Sequence, residues 1–134
     1  MFVEFEQKAH IMAENGEPLT QKTLSDMYES LNALYFGPDM TSDDDTIRYE
    51  WARIPHFYTS FYVYKYATGL STAVAIADGL DRPGMLEKYM DFLSAGGSKH
   101  PLEIVALAGV DFSTAVKRCM AEFERALGEM EKLI

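Results

Sequence analysis

Between Arg53 and Gly69 the chain reads RIPHFYTSFYVYKYATG, so that His56 stands close to Tyr58, Tyr62, Tyr64 and Tyr66. Each of these side chains has a polar tip that needs a hydrogen-bond partner, and a dry core supplies few. An imidazole and several phenols can instead line a wet cleft and hydrogen-bond a bound molecule. The competing reading is packing, because tyrosines at helical spacing commonly fill a core and send the hydroxyl to an edge. Other chemistry-bearing residues give weaker signals. Cys119 is the single cysteine, which excludes an intrachain disulfide, and it reads as a small core hydrophobe. His10 and Glu14 are spaced one helical turn apart, a weak metal signal that reads as a solvated helix face. The acidic run Asp43 to Asp45 lacks the alternation, the glycine and the closing glutamate of a calcium loop, and reads as a solvated loop.

These residues sit in a chain patterned for helices. Phe2, Phe5, Ala9 and Met12 recur at helical spacing until Asn15-Gly16 stops the run. Leu24, Met27, Leu31 and Leu34 make a second stripe, with Thr20 as its N-cap. Pro55 suits a first helical turn, and a helix from there to near Gly79 would carry the whole aromatic segment. Strand is the alternative for FYTSFYVYKY, which is rich in β-formers; the alanine-rich continuation favours helix. On that helix Tyr58, Tyr62 and Tyr66 form one ridge, Phe57, Phe61 and Tyr64 another side, and His56, Ser60 and Tyr64 a third strip. Apolar or aromatic residues nearly all round mark a central, buried helix. His56 and Tyr64 would stand about 12 Å apart along its axis, a span that suits a few residues of extended peptide. Further helices are expected from Pro83 to Gly96, from Pro101 to Gly109, and from an Asp111 cap along Phe112, Val116, Cys119, Phe123, Leu127, Met130 and Ile134. The expected fold is all-α: a helical bundle in a single domain spanning residues 1–134.

Composition narrows the function. A hydrophobic content of 48% is too high for a disordered tail. A net charge of −9 argues against nucleic acid, whose phosphates demand basic patches, and against anionic membrane surfaces. No apolar run approaches a membrane span, and the acidic start MFVEFEQKAH is unlike a signal peptide, so a soluble, cytoplasmic protein is expected.

Two long stretches, YEWARIPHFYTSFYVYKYATGLSTAVAIA and YMDFLSAGGSKHPLEIVALAGVDFST, together with FVEFEQKAHIMAENGEPLT, resemble the C-terminal region of oligoendopeptidase F, a zinc metallopeptidase of the thimet oligopeptidase type. The resemblance covers nearly the whole chain. It implies a largely helical, bowl-shaped catalytic domain that cuts short, unstructured peptides, of which this chain is the C-terminal part. In that family a His-Glu-x-x-His helix and a downstream glutamate hold zinc, and the first glutamate activates water. A C-terminal histidine and tyrosines face the metal, bind the substrate backbone and stabilise the oxyanion. By resemblance His56 matches that histidine and Tyr64 the tyrosine facing the oxyanion. Tyr58 and Tyr62 match further substrate-binding tyrosines, and Arg53 matches an arginine that fixes the histidine's surroundings.

The departure is as plain as the match. His10, His56 and His100 are the three histidines, and none has a second at i+4. The metal ligands and general base are missing, so the chain is expected to hold no metal and no cofactor of its own, zinc belonging to the full-length family. The leading expectation is part of a peptide-binding wall, inactive alone, whose partners are short peptides and an upstream catalytic segment. The alternative is a standalone helical interaction module that forms a homo-oligomer through exposed apolar helix faces, most simply a twofold dimer.

Overall fold

The computed structural model describes residues 1–40 and 45–134. Among them every regular element is helical, as the periodicity requires: α1 (Phe2–Glu14), α2 (Gln21–Phe36), α3 (Tyr64–Ala77), α4 (Met85–Ala95), α5 (Pro101–Leu107) and α6 (Phe112–Met130), with short 3-10 turns at Ile47–Arg53, Pro55–Tyr58 and Glu131–Leu133. The described residues group into two compact units, Met1–Tyr64 and Lys65–Ile134. Asp43 and Asp44 of the acidic run lie outside the described residues.

In the first unit the cap and the stripe define α2. Thr20 sits in extended backbone and accepts from the Thr23 N–H at 3.1 Å, while the Thr23 hydroxyl accepts from the Thr20 N–H at 2.9 Å. Two donors that the helix leaves unmatched are thereby satisfied. The core joins Phe5 of α1 to Tyr28 and Leu31 of α2, with Trp51 and Phe57 of the two 3-10 turns packed against them. Phe5 meets Tyr28 edge-on at 5.3 Å, a geometry that aromatic quadrupoles favour, and Phe57 tilted by 50° at 5.0 Å. Polar ties hold the 47–53 turn to α2. Tyr28 donates its hydroxyl to Glu50 at 2.6 Å, Trp51 donates to Ser25 at 3.1 Å, and Arg48 pairs with Asp26 and Glu29.

The second unit has its own core of Ala75, Ile76, Ala108, Val110 and Ala115, flanked by Tyr89, Phe92, Val105 and Phe112. Helix α6 starts where its cap predicts: the Asp111 carboxylate accepts from the Ser113 N–H at 2.9 Å. Helix α4 begins at Met85, after Gly84, whose φ of +78° holds it in left-handed backbone and outside the helix. Gly109 (φ +71°) turns the chain between α5 and α6 where a Cβ would meet the Lys88 side chain at 3.2 Å.

Three expectations need correction. The helix expected from Pro55 to Gly79 is broken. Pro55 opens a single 3-10 turn, residues 59–63 are irregular, and α3 starts only at Tyr64. Phe61 has φ +55°, which a right-handed helix cannot accommodate, and its N–H is taken by a carboxylate instead of a helical carbonyl. The aromatic segment is not a buried central helix either: Tyr58 is 73% exposed and Tyr66 58%. Cys119 is half-buried on α6 and lies outside the core.

Candidate functional site

The aromatic segment is positioned from its first residue. Buried Ile54 anchors the chain before Pro55, and the turn Pro55–Tyr58 then divides its side chains. Phe57 points into the core against Phe2 and Phe5. Tyr58 lies outside, and its hydroxyl donates back to the Ala52 carbonyl at 2.8 Å. Half-buried His56 meets Tyr62 with ring centroids 5.3 Å apart. Arg53, largely exposed, pairs with Glu50, the carboxylate that also receives the Tyr28 hydroxyl.

The chain reverses between the turn and α3 around Phe61. Its N–H donates to Glu6 Oε1 at 2.7 Å, and its ring stacks on His10 at 4.2 Å. Glu6 is only 5% exposed. An unfavourable backbone conformation is thus held by a part-buried hydrogen bond to the Glu6 carboxyl and a ring contact. His10 is half-buried against Phe61, which corrects its assignment to a solvated face. Sequence periodicity missed Glu6 and placed His10 on the wrong kind of surface. Their partner lies more than fifty residues away, and no local spacing announces it.

Four of the predicted site residues therefore share the first unit without sharing a helix. His56 and Tyr62 are brought together by the irregular stretch; Tyr58 folds back on the preceding turn; Tyr64 starts α3 and is 45% exposed. The 12 Å strip from His56 through Ser60 to Tyr64 does not exist, because residues 59–63 follow no helical path. What the arrangement offers chemically is an imidazole with a neighbouring phenol, and two further phenols whose rings reach solvent. These are hydrogen-bond donors and acceptors.

Among the described residues no three His, Cys, Asp or Glu side chains come together as a metal ion needs. The three histidines stand apart: His10 on Phe61, His56 on Tyr62, and His100 at the start of α5, where its backbone N–H donates to the Glu103 carboxylate at 3.2 Å. The donor set present here does not fit a zinc site. Among the described residues no helix is long and apolar enough to cross a membrane.

Comparison with known proteins gives a consistent picture. Oligopeptidase PepF of Bacillus subtilis is 44% identical over 138 residues, taking in 100% of this chain and 20% of that protein. The chromosomal oligoendopeptidase F of Lactococcus lactis subsp. cremoris is 41% identical, covering 99% of this chain and 23% of its own length. The crystal structure of oligoendopeptidase-F from Enterococcus faecium superposes with a TM-score of 0.90 at 44% identity, across 98% of this chain and 26% of that one. The chain thus spans a fifth to a quarter of the length of the relatives it matches. The resemblance to oligoendopeptidase F holds along its whole length, and this is a peptidase-like, all-α region of a metallopeptidase family. The model for that family, described as peptidase family M3, matches residues 1–123, and the chain belongs to it.

Proposed function

We infer that this chain is part of the substrate-binding wall of an M3 peptidase, and that by itself it does not hydrolyse peptides. The observation that carries the reading is the outward placing of phenols. Tyr58 and Tyr64 are 73% and 45% exposed, and Tyr62 adjoins His56. Core tyrosines would behave like Tyr28, which is fully buried. In this reading His56 and the tyrosines at 58, 62 and 64 bind the backbone of a short peptide. Tyr64 donates to the carbonyl oxygen as it gains negative charge. In this reading the metal and the base come from a segment bearing the family's His-Glu-x-x-His, a motif that the sequence of residues 1–134 does not contain. The cytoplasm is the expected setting.

Hydrolysis of a mixture of quenched fluorescent peptides tests the first half, with zinc and then with a chelator. No zinc-dependent cleavage by the pure chain is expected, and chelator-sensitive turnover would sink the reading. Peptide affinity of Tyr64→Phe against the unaltered chain tests the second half. A weakened affinity is expected, and an unchanged one removes Tyr64 from the wall.

A second reading rests on α6. Val116, Met120, Phe123, Leu127 and Met130 follow a four-three-four-three spacing, and each is at least 43% exposed. That is the seam of a helix that packs against another helix. A second copy of the chain would cover it in a twofold dimer.

A further inference from the structure

A recess of about 290 Å³ lies within the first unit, against α1. The helix itself makes the room. Glu6, Ala9, His10 and Ala13 share one face by their spacing, and two of these four are alanines, where longer side chains would fill the space. Rings of Phe5, Trp51 and Phe57 form the apolar wall. Such a volume stands at the small end of ligand pockets, which run from about 300 to 1,000 Å³, and suits a molecule built around one ring.

Glu6 gives the recess its chemistry. It is 5% exposed and lines the space, yet among the described residues its one hydrogen bond, from the Phe61 N–H, uses Oε1. Among those residues Oε2 accepts none. A buried carboxylate gains most from a cationic partner. Aromatic rings, of which Phe5, Trp51 and Phe57 line the space, attract a cation that meets them face-on. Anions meet the opposite conditions: the carboxylate on the wall and a net charge of −9 on the chain.

We propose that this recess binds a small monoamine with an aromatic body, its ammonium on Glu6 and its ring against Phe5, Trp51 and Phe57. The recess shares one residue with the peptide wall, because Tyr58 lines it whereas His56 and Tyr64 do not. Its ligand is defined by the cavity and the Glu6 carboxylate, so a Tyr64→Phe result that removes the peptide wall leaves this proposal standing.

The chain provides its own reporter, because Trp51 is the single tryptophan and lines the recess. Phenethylamine, 2-phenylethanol and phenylacetate share a ring and differ in charge, and each is titrated into the full chain while Trp51 fluorescence is followed. Saturable binding of phenethylamine is expected, with the alcohol weaker by about tenfold or more and the carboxylate not binding. Glu6→Gln retains a carbonyl oxygen for the Phe61 N–H and loses the charge, so it should bring phenethylamine down to the affinity of the alcohol. Ala9→Leu should abolish binding of both by filling the space. In the unaltered chain, ligand-to-protein NMR contacts should fall on Trp51 and Phe57. Equal binding of amine and carboxylate, an unaffected Glu6→Gln, or contacts elsewhere on the chain would each overturn the proposal.

Discussion

Removing a single oxygen atom, by Tyr28→Phe, tests how the first unit is held together. Tyr28 is fully buried, and its hydroxyl donates to Glu50 at 2.6 Å. The ring contacts to Phe2 and Phe5 survive the substitution, so no cavity forms beyond the missing hydroxyl. A hydrogen bond to a charged group contributes about 1.5–3 kcal/mol. The lower end applies, since Glu50 keeps Arg53 and its side chain is 21% exposed, which lets water replace the lost donor. A loss of about 1.5 kcal/mol, at a urea slope of about 1.5 kcal/mol per molar, moves the midpoint by about 1 M. Trp51 fluorescence reads it directly, because Trp51 packs against this cluster. The pH dependence gives a second signature. Burial, and then the hydrogen bond to Glu50, hold the Tyr28 phenol well above its ordinary value of 10.0. Below pH 10 both the folded and unfolded chains keep the proton. Above it the unfolded chain releases the proton first, so stability falls as pH rises, by about 1.4 kcal/mol per pH unit from this residue. Tyr28→Phe should flatten that alkaline decline. A midpoint that stays within about 0.2 M, together with an unaltered alkaline limb, would refute the bond and the reasoning built on it.

Three further outcomes are expected. Thr20→Ala removes the reciprocal cap of α2 and should cost about 1 kcal/mol in urea unfolding, with Thr20→Ser recovering most of it. Hydrogen bonds from Ser113, side chain first and then backbone, hold the Asp111 carboxyl below its ordinary 3.8. Its contribution to α6 is therefore complete above that value and lost as pH falls through the lower folded one; Asp111→Asn should remove this acid dependence, measured by helical circular dichroism between pH 2 and 6 (about the span over which carboxylates titrate). Leu127→Glu places a charge in the middle of the exposed α6 seam; if copies of the chain pair there, sedimentation should show dimer becoming monomer, and an unaltered mass distribution would exclude α6 as the contact.

Most helices were legible because their signals are local. The stripes of α1, α2 and α6, the Thr20 and Asp111 caps and the stop at Gly96 all act within a few residues. The segment 55–63 was not legible for the opposite reason. FYTSFYVYKY suits helix or strand about equally, and what decides its path is Glu6, distant in sequence, which captures the Phe61 N–H. Of the candidate site, the residue types came from the sequence and the His56–Tyr62 neighbourhood from the fold. Spacing alone placed Tyr58, Tyr62 and Tyr66 on one ridge, and that ridge vanished once the helix was interrupted. Glu6 looked like any acid on an amphipathic helix. Its burial shows only in the fold, where the distant Phe61 backbone comes back onto it.

The Glu6–Phe61 hydrogen bond also dates the steps of assembly. It closes a loop of 55 residues, a closure whose length-dependent entropy is about 3.5 kcal/mol, whereas α1 and α2 form from neighbours along the chain. On a ribosome Glu6 emerges long before its partner and must wait, hydrated and charged, until Phe61 has been made. The recess beside it is accordingly among the last features of the first unit to appear, after helix content is already in place. In refolding, the fluorescence of Trp51 should reach its native value later than the helical circular dichroism does, and a ligand seated there would act as a clasp on a finished fold, slowing its opening more than speeding its formation.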